Sequence, residues 1–368
     1  MFKQITAGIS RSMVILGDDS AWAWGNLARA EAGLSPDDPL SAICGSSPLE
    51  IGHHRFAQPV PQRLNPERPL SFLCDASDRL LALNPQGQAS GLAPVVSVIT
   101  GALSRDLGAQ PTAWRHLYAN ETAHYGLDGQ GNVWSWGHNF QGQLGRSTPS
   151  PLNQAPALVE ALPAVTRLAT GLNHTLALSR SGQVWAWGAN AAGQLGQGDL
   201  SPRTLPMRVS ISARVVAIAA GETHSLAIDE HGRVWAWGSN HCGQLGPVAA
   251  KSPPEFASRP VRVRLPFGAC ELGGGAHYTV AITDQREVYA WGWNGLGQLG
   301  QEAGLTESNR KPTKVSGLRD VERISVGALH VLAVEQRGLC AWGDNRHAAC
   351  GLPATQAVVS RPHFINLA

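Results

Sequence analysis

The chain has 368 residues, of which 43% are hydrophobic and 15% charged, and its net charge is +2. That near-neutral balance, with no basic or acidic tail, is a poor electrostatic footprint for nucleic acid, and no apolar run approaches the length of a membrane span. Six cysteines, at positions 44, 74, 242, 270, 340 and 350, show no Cys-x-x-Cys spacing; this argues against zinc or a disulfide framework and for a reduced, cytoplasmic protein.

No export signal is visible, because Phe2 to Gly8 already reads as the opening strand of a unit of about fifty residues. In chain order, that unit recurs seven times. The first copy runs from Gly8 through Arg11 to Trp22-Ala-Trp24-Gly25. A long loop insertion, 25–59, follows it: Trp24 to Pro61 spans 37 positions, against 19 from Trp187 to Pro206. The loop carries His53-His54-Arg55-Phe56. The second copy, 61–101, is degenerate. Its Leu81-Ala-Leu-Asn-Pro-Gln-Gly87-Gln88 mirrors Leu176-Ala-Leu-Ser-Arg-Ser-Gly182-Gln183, but Leu92 stands where others have tryptophan.

In the third copy Asn120 and Ala123 replace a glycine and a histidine, while Trp136-Gly137-His138-Asn139 and Gly142-Gln-Leu-Gly145 survive. Four clear copies follow. Gly171-Leu-Asn-His174 leads to Trp187-Gly188-Ala-Asn190, and Gly221-Glu-Thr-His224 to Trp237-Gly238-Ser-Asn240. Gly275-Ala-His-Tyr278 leads to Trp291-Gly292-Trp-Asn294, and Gly327-Ala-Leu-His330 to Trp342-Gly343-Asp-Asn345.

Each unit divides into four short strands, as in the fifth copy: Val215 to Ala220, Ser225 to Asp229, Arg233 to Trp237, and a strand beginning near Pro260. Four strands per unit is the pattern of propeller blades. Prolines 156, 206, 260 and 312 each precede the next loop glycine by fifteen positions, which fixes the register. The reading is all-β: one domain over 1–368, a seven-bladed propeller of four-stranded blades, its ring closed by the C-terminal strand, Pro362 to Leu367, beside the N-terminus. Closure hides edges that invite aggregation.

In Val184-Trp185-Ala186-Trp187 both tryptophans point to one face of a strand, and ten of the twelve tryptophans occupy this strand in one copy or another. Packing between blades accounts for them better than an aromatic platform for ligands. Gly-x-x-His invites a metal or catalytic reading, but the histidine position also holds Arg11, Arg79, Ala123 and Tyr278, which one shared site would not tolerate. The structural expectation is a glycine with positive φ and a histidine bonded to nearby backbone. Asn and Gly of Trp-Gly-x-Asn and Gly-Gln-Leu-Gly would satisfy and permit loop turns.

These elements together, Gly-x-x-His, Val-Trp-Ala-Trp-Gly-x-Asn and Gly-Gln-Leu-Gly, resemble the repeat of the regulator of chromosome condensation family over essentially the whole chain. The resemblance implies a seven-bladed propeller whose loops bind other proteins. In that family the eukaryotic founder is an exchange factor for the small GTPase Ran that docks on chromatin; other members are ubiquitin-ligase modules, effectors acting on GTPases, and an inhibitor of β-lactamases. The scaffold does not choose among these. The expectation is a chain with neither a basic N-terminal extension nor a fused catalytic domain, which counts against the chromatin and ligase roles.

Alternating strands put the Gly-x-x-His turns and the long loops on one face, where function is expected. Trp293 occupies the variable position of Trp-Gly-x-Asn, expected outside the packed strand and held elsewhere by His138, Ala189, Ser239 and Asp344. Phe140, His241 and Arg346 follow the Asn in their copies. With His53, His54, Arg55 and Phe56 these form the candidate partner-binding set: Trp293, Phe140, His138, His241 and Arg346 on the ring, the other four on the first loop. Arginines 259, 262 and 264, and Arg310, Lys311 and Lys314, read as a solvated rim. The sequence therefore predicts a monomeric, non-enzymatic protein-binding propeller with no catalytic residue, cofactor or metal, and with neither nucleic acid nor membrane as partner. A guanine nucleotide exchange factor for a small GTPase, or a proteinaceous inhibitor of an enzyme or toxin, are the alternatives.

Overall fold

A computed structural model describes residues 1–26, 49–50, 56–64, 71–76, 79–83, 89–91, 113–120, 122–248, 255–301 and 308–367. Every regular element among them is a strand, and the strands form seven antiparallel sheets. The fifth blade shows the plan: Val215–Ala220 lines the centre, then His224–Asp229, Val234–Ser239 and, outermost, Phe256–Arg262. The third, fourth, sixth and seventh blades begin with Trp114–Ala119, Val165–Thr170, Ala269–Gly274 and Arg323–Val326 and repeat that order. The first blade begins with Phe2–Ala7 and carries a fifth strand: part of the inserted loop, Leu49–Glu50, pairs with Phe56–Ala57.

The second sheet has three described strands, Phe72–Ala76, Arg79–Leu83 and Ala89–Gly91. Pro61 lies in Phe56–Leu64, which pairs with Ala21–Asn26, so that strand completes the first sheet rather than opening the second. His53, His54 and Arg55 lie outside the described residues, as does the side chain of Phe56.

Each sheet packs on the next, and the seventh packs on the first. The second strands of the third to seventh blades are buried at every residue, because a neighbour covers each face. On the third strands, Trp24, Trp187, Trp237, Trp291 and Trp342 are fully buried. Removing so large an apolar side chain from water contributes about 3 kcal/mol per residue.

Their indole N–H groups are also satisfied. Trp187 Nε1 donates to the carbonyl of Gln143 in the preceding blade (2.8 Å), Trp237 to Gln194 (2.8 Å), Trp291 to Gln244 (3.0 Å) and Trp342 to Gln298 (3.1 Å). The first blade closes the series, for Trp24 Nε1 donates to Ala349 O of the seventh (2.9 Å). The C-terminal strand Val358–Phe364 pairs with Gly338–Asp344 in its own blade, which stands beside the N-terminal one. Closure is thus a blade-to-blade contact, extended by Ala7 N to Ser325 Oγ (2.9 Å) and by Ala328 N to Gly8 O (3.2 Å), with no strand shared between the termini.

The repeated prolines lie on outermost strands. Pro156, Pro206, Pro260 and Pro312 sit where the pairing register shifts, and a missing N–H there is tolerated while it blunts an exposed edge. The glycines divide differently from the sequence expectation. Those after tryptophan have positive φ, for example +103° at Gly188. Gly171, Gly221, Gly275 and Gly327 do not. They are glycine because a Cβ on Gly221 would lie 2.1 Å from His224 Cε1 and 2.4 Å from Gly275 O of the next blade.

Gly221→Ala is therefore expected to cost about 1–3 kcal/mol in denaturant unfolding, as overpacking against backbone does. Gly129→Ala, where an added Cβ meets nothing within 4 Å, should leave the midpoint nearly unchanged.

Candidate functional site

The Gly-x-x-His turn and the loop after Trp-Gly do emerge on one face. Backbone bonds join them, from Ala189 N to Asn173 O (2.8 Å), Ser239 N to Thr223 O (2.9 Å) and Trp293 N to His277 O (2.8 Å). Each long loop is held by its asparagine. Asn190 Oδ1 accepts from Leu195 N (2.9 Å) while its Nδ2 donates to Asp199 O and Ser201 O (both 3.0 Å). Asn345 does the same work with Cys350 N, Leu352 O and Gln356 O.

The histidines belong to the scaffold: each meets a side-chain hydroxyl of the next blade, and His330 also bonds the expected backbone, at Arg11. His174 Nε2 meets Ser225 Oγ of the next blade at 3.0 Å, His224 meets Thr279 Oγ1 at 3.1 Å, and His330 meets Ser12 Oγ at 2.8 Å. Each hydroxyl in turn donates back to the loop carbonyl that receives the tryptophan: Ser225 to Gln194 O (2.7 Å), Thr279 to Gln244 O (2.8 Å), Ser12 to Ala349 O (2.8 Å).

Two of the four non-histidine copies, those with Ala123 and Tyr278, keep a hydroxyl at this junction. With Ala123 at the histidine position, Tyr125 supplies one: it accepts from Thr175 Oγ1 (2.9 Å) and donates to Gln143 O (2.5 Å). Tyr278 faces Val331, which has no hydroxyl, and its own OH reaches Gly327 O and His330 O instead. Among the described residues no three His, Cys, Asp or Glu converge as a metal site, and the described cysteines are free thiols.

The candidate contact residues fall into two kinds. Phe140 (57% exposed) and His241 stand clear of the scaffold, and His138 lies beside Phe140 with ring centroids 5.4 Å apart. Arg346 is exposed but held, its guanidinium bidentate on Asp344 (Nε–Oδ1 and Nη2–Oδ2, both 2.8 Å). Trp293 corrects the sequence expectation. It is the last residue of Val288–Trp293, pairs with Ser308, and lies half-buried over Gly295, where a Cβ would be 2.4 Å from its ring.

Sequence reading missed a neighbouring apolar surface. Leu152, Leu200, Leu205 and Met207 are exposed on the loops and outermost strand of the third and fourth blades. The Phe140 loop joins them, because Gly142 seats on Arg203 and Thr204 of that strand. The signal was present in Leu205-Pro206-Met207, but an outer strand and an inner one read alike until the sheet order is known. At the ring centre the same face opens into a cleft of about 280 Å³ bordered by Gly8, Gly171, Gly221, Gly275 and Gly327.

Seven sheets in a closed ring, five of whose junctions are bolted by the same tryptophan bond, define a repeat propeller. The sequence profile of the RCC1-like domain matches residues 94–367, and the chain belongs to that family. It is 34% identical over 291 residues to the mouse E3 ubiquitin-protein ligase HERC2, a match covering 76% of this chain and 6% of that protein. The chain thus spans a small part of that relative. Among solved structures, human WBSCR16 superposes with a TM-score of 0.72 at 20% identity, over 86% of this chain and 87% of that one. Prp20p of Saccharomyces cerevisiae does so with 0.71 at 19% identity, over 99% and 88%. No helix among the described residues is long and apolar enough to cross a membrane.

Burial holds the pKa values of His174, His224 and His330 down at about 4, 3 and 4. In the unfolded chain these imidazoles gain protons as the pH falls through 6.5, while the native ones stay neutral until far lower. Stability is therefore whole above pH 6.5 and declines toward pH 4, by on the order of 1.4 kcal/mol per histidine for each pH unit of that descent. Urea midpoints should fall between pH 7 and pH 5, and H224Q should show a shallower fall from a lower starting stability.

Proposed function

We propose that this chain is a non-enzymatic, cytoplasmic protein-binding propeller that holds one macromolecular partner against its long-loop face. The observation that carries the reading is the apolar surface of Phe140, Leu152, Leu200 and Leu205 on adjacent blades. An exposed apolar surface rimmed by polar groups is a docking feature, and here His138, His241 and Arg346 supply the rim around the same face. The scaffold supports it from below: the repeated polar residues are consumed in joining blades, which leaves the variable loop positions as the recognition elements.

Prp20p is described together with its binding to Gsp1p and histones. At 19% identity that likeness bears on fold. Exchange activity on a small GTPase and inhibition of an enzyme are narrower forms of the same reading, separated by whether the captured partner loses nucleotide or loses activity.

Affinity capture from native lysate should recover a stoichiometric partner with the wild type and at least about tenfold less with a Phe140→Asp, Leu205→Asp double variant, roughly 1.4 kcal/mol or more in binding. Both substitutions lie at exposed positions, so the melting temperature should hold within a degree or two, roughly what surface changes give. Equal recovery with the double variant would place the contact elsewhere.

A further inference from the structure

The innermost strands contain a polar layer that the repeat does not explain. Gln4, His116, Arg167, Ala217, Glu271 and Arg323 occupy one register position, opposite Ile15, Leu127, Leu178, Ile228, Ile282 and Val334 of the second strands. Equivalent register in a closed ring places them at one height around the axis. The following residues, including Leu117, Leu168, Ile218 and Ile324, are buried between blades, so alternation turns this layer toward the channel. It lies two residues below Thr6 and Tyr118, which border the central cleft of the loop face.

Its basic groups meet across the opening. Arg167 is on the fourth blade, yet its charge acts on His116 of the third and on Glu271 of the sixth. Between them stands Ala217, which adds no polar group to that side of the layer. Arg115, set beside His116 by a register shift in Trp114–Ala119, adds a guanidinium whose charge acts on His116, while the charge of Arg323 acts on Glu271. Within the layer, the Arg167 and Arg323 guanidiniums thus act on one carboxylate, that of Glu271. Arg323 is anchored by donating to Lys3 O (2.6 Å). Arg167 is exposed, and among the described residues it makes no hydrogen bond or ion pair. Desolvation, then Arg115 and Arg167, lower the His116 pKa and so favour the neutral imidazole; desolvation pushes the Glu271 carboxyl up.

We propose that this layer is a binding site for a small oxyanion, a phosphate- or carboxylate-bearing ligand, received in the channel chiefly by Arg167 and Arg323. A planar guanidinium with its donors unspent matches such a group bidentately, and the surrounding blade walls keep water screening low. The site is separate from the loop-face contact surface and does not depend on it.

The test is isothermal titration of the full chain in low-salt buffer with inorganic phosphate and, separately, with succinate. One or both should bind with a Kd in or below the millimolar range, and Arg167→Gln should weaken that binding about tenfold or more, while Arg167→Lys keeps part of it. The melting temperature of each variant without ligand should match the wild type, since Arg167 bonds nothing in the scaffold. Binding of phosphate alone or succinate alone supports the site and names its ligand class. Failure of both to titrate, or binding unchanged in Arg167→Gln, overturns it.

Discussion

At five blade junctions one backbone carbonyl carries the architecture. In the Gly-Gln-Leu-Gly loop the glutamine carbonyl accepts the indole N–H of the next blade's buried tryptophan and, at most junctions, a hydroxyl from that blade's second strand. A buried tryptophan with no acceptor would forfeit much of what its burial contributes, because an unpaired N–H in an apolar interior costs about 1–3 kcal/mol. The loop therefore returns to one position at each of these five junctions. The asparagine that pins it, and the glycines that let it turn, follow from that demand. The ring closes when the first blade makes the same bond to Ala349 that later blades make to glutamine. The bond uses backbone, so the side chain could change from Gln to Ala without loss.

The same economy explains why the histidine position varies. At five junctions a buried hydroxyl or imidazole completes the polar contact. Histidine with Ser or Thr does this three times; Tyr125 does it from a different position, and Tyr278 does it with backbone acceptors. A residue type exchanged in this manner reports a packing requirement. It also withdraws these side chains from any chemistry with solvent, and their buried, neutral state follows from the packing. The surface left for recognition is whatever the repeat does not use: loop tips, the outermost strands of the third and fourth blades, and the channel wall.

Much of this was legible in the linear pattern. The strand order within a unit, the packing role of ten tryptophans and the shared face of the two loops all follow from period and alternation. The purpose of the Gly-x-x-His glycine was not. Positive φ is the common reason for a glycine in a turn, but here the reason is the imidazole lying over it and a carbonyl from the adjacent blade, both invisible without the third dimension. Trp293 looked free of the strand because its position varies, yet pairing with Ser308 extends the ladder through it. Phe140, His241 and Arg346 were placed in the candidate patch from the same kind of variation, and all three lie exposed.

The sequence by itself determined the blade, since a fifty-residue period with strand alternation and a tryptophan at a set distance from a glycine permits few other solutions. It also determined that the repeated polar residues are structural, because their substitutions are inconsistent with one shared site. Only the tertiary structure decided which carbonyl receives each indole, how Leu205 and Met207 come to lie exposed beside Phe140, and that Arg167, Glu271 and Arg323 share one layer of the channel. Those are relations between residues 43 or more positions apart. Local periodicity sets the shape of one blade, and the closing of the ring sets which blades, and which side chains, meet.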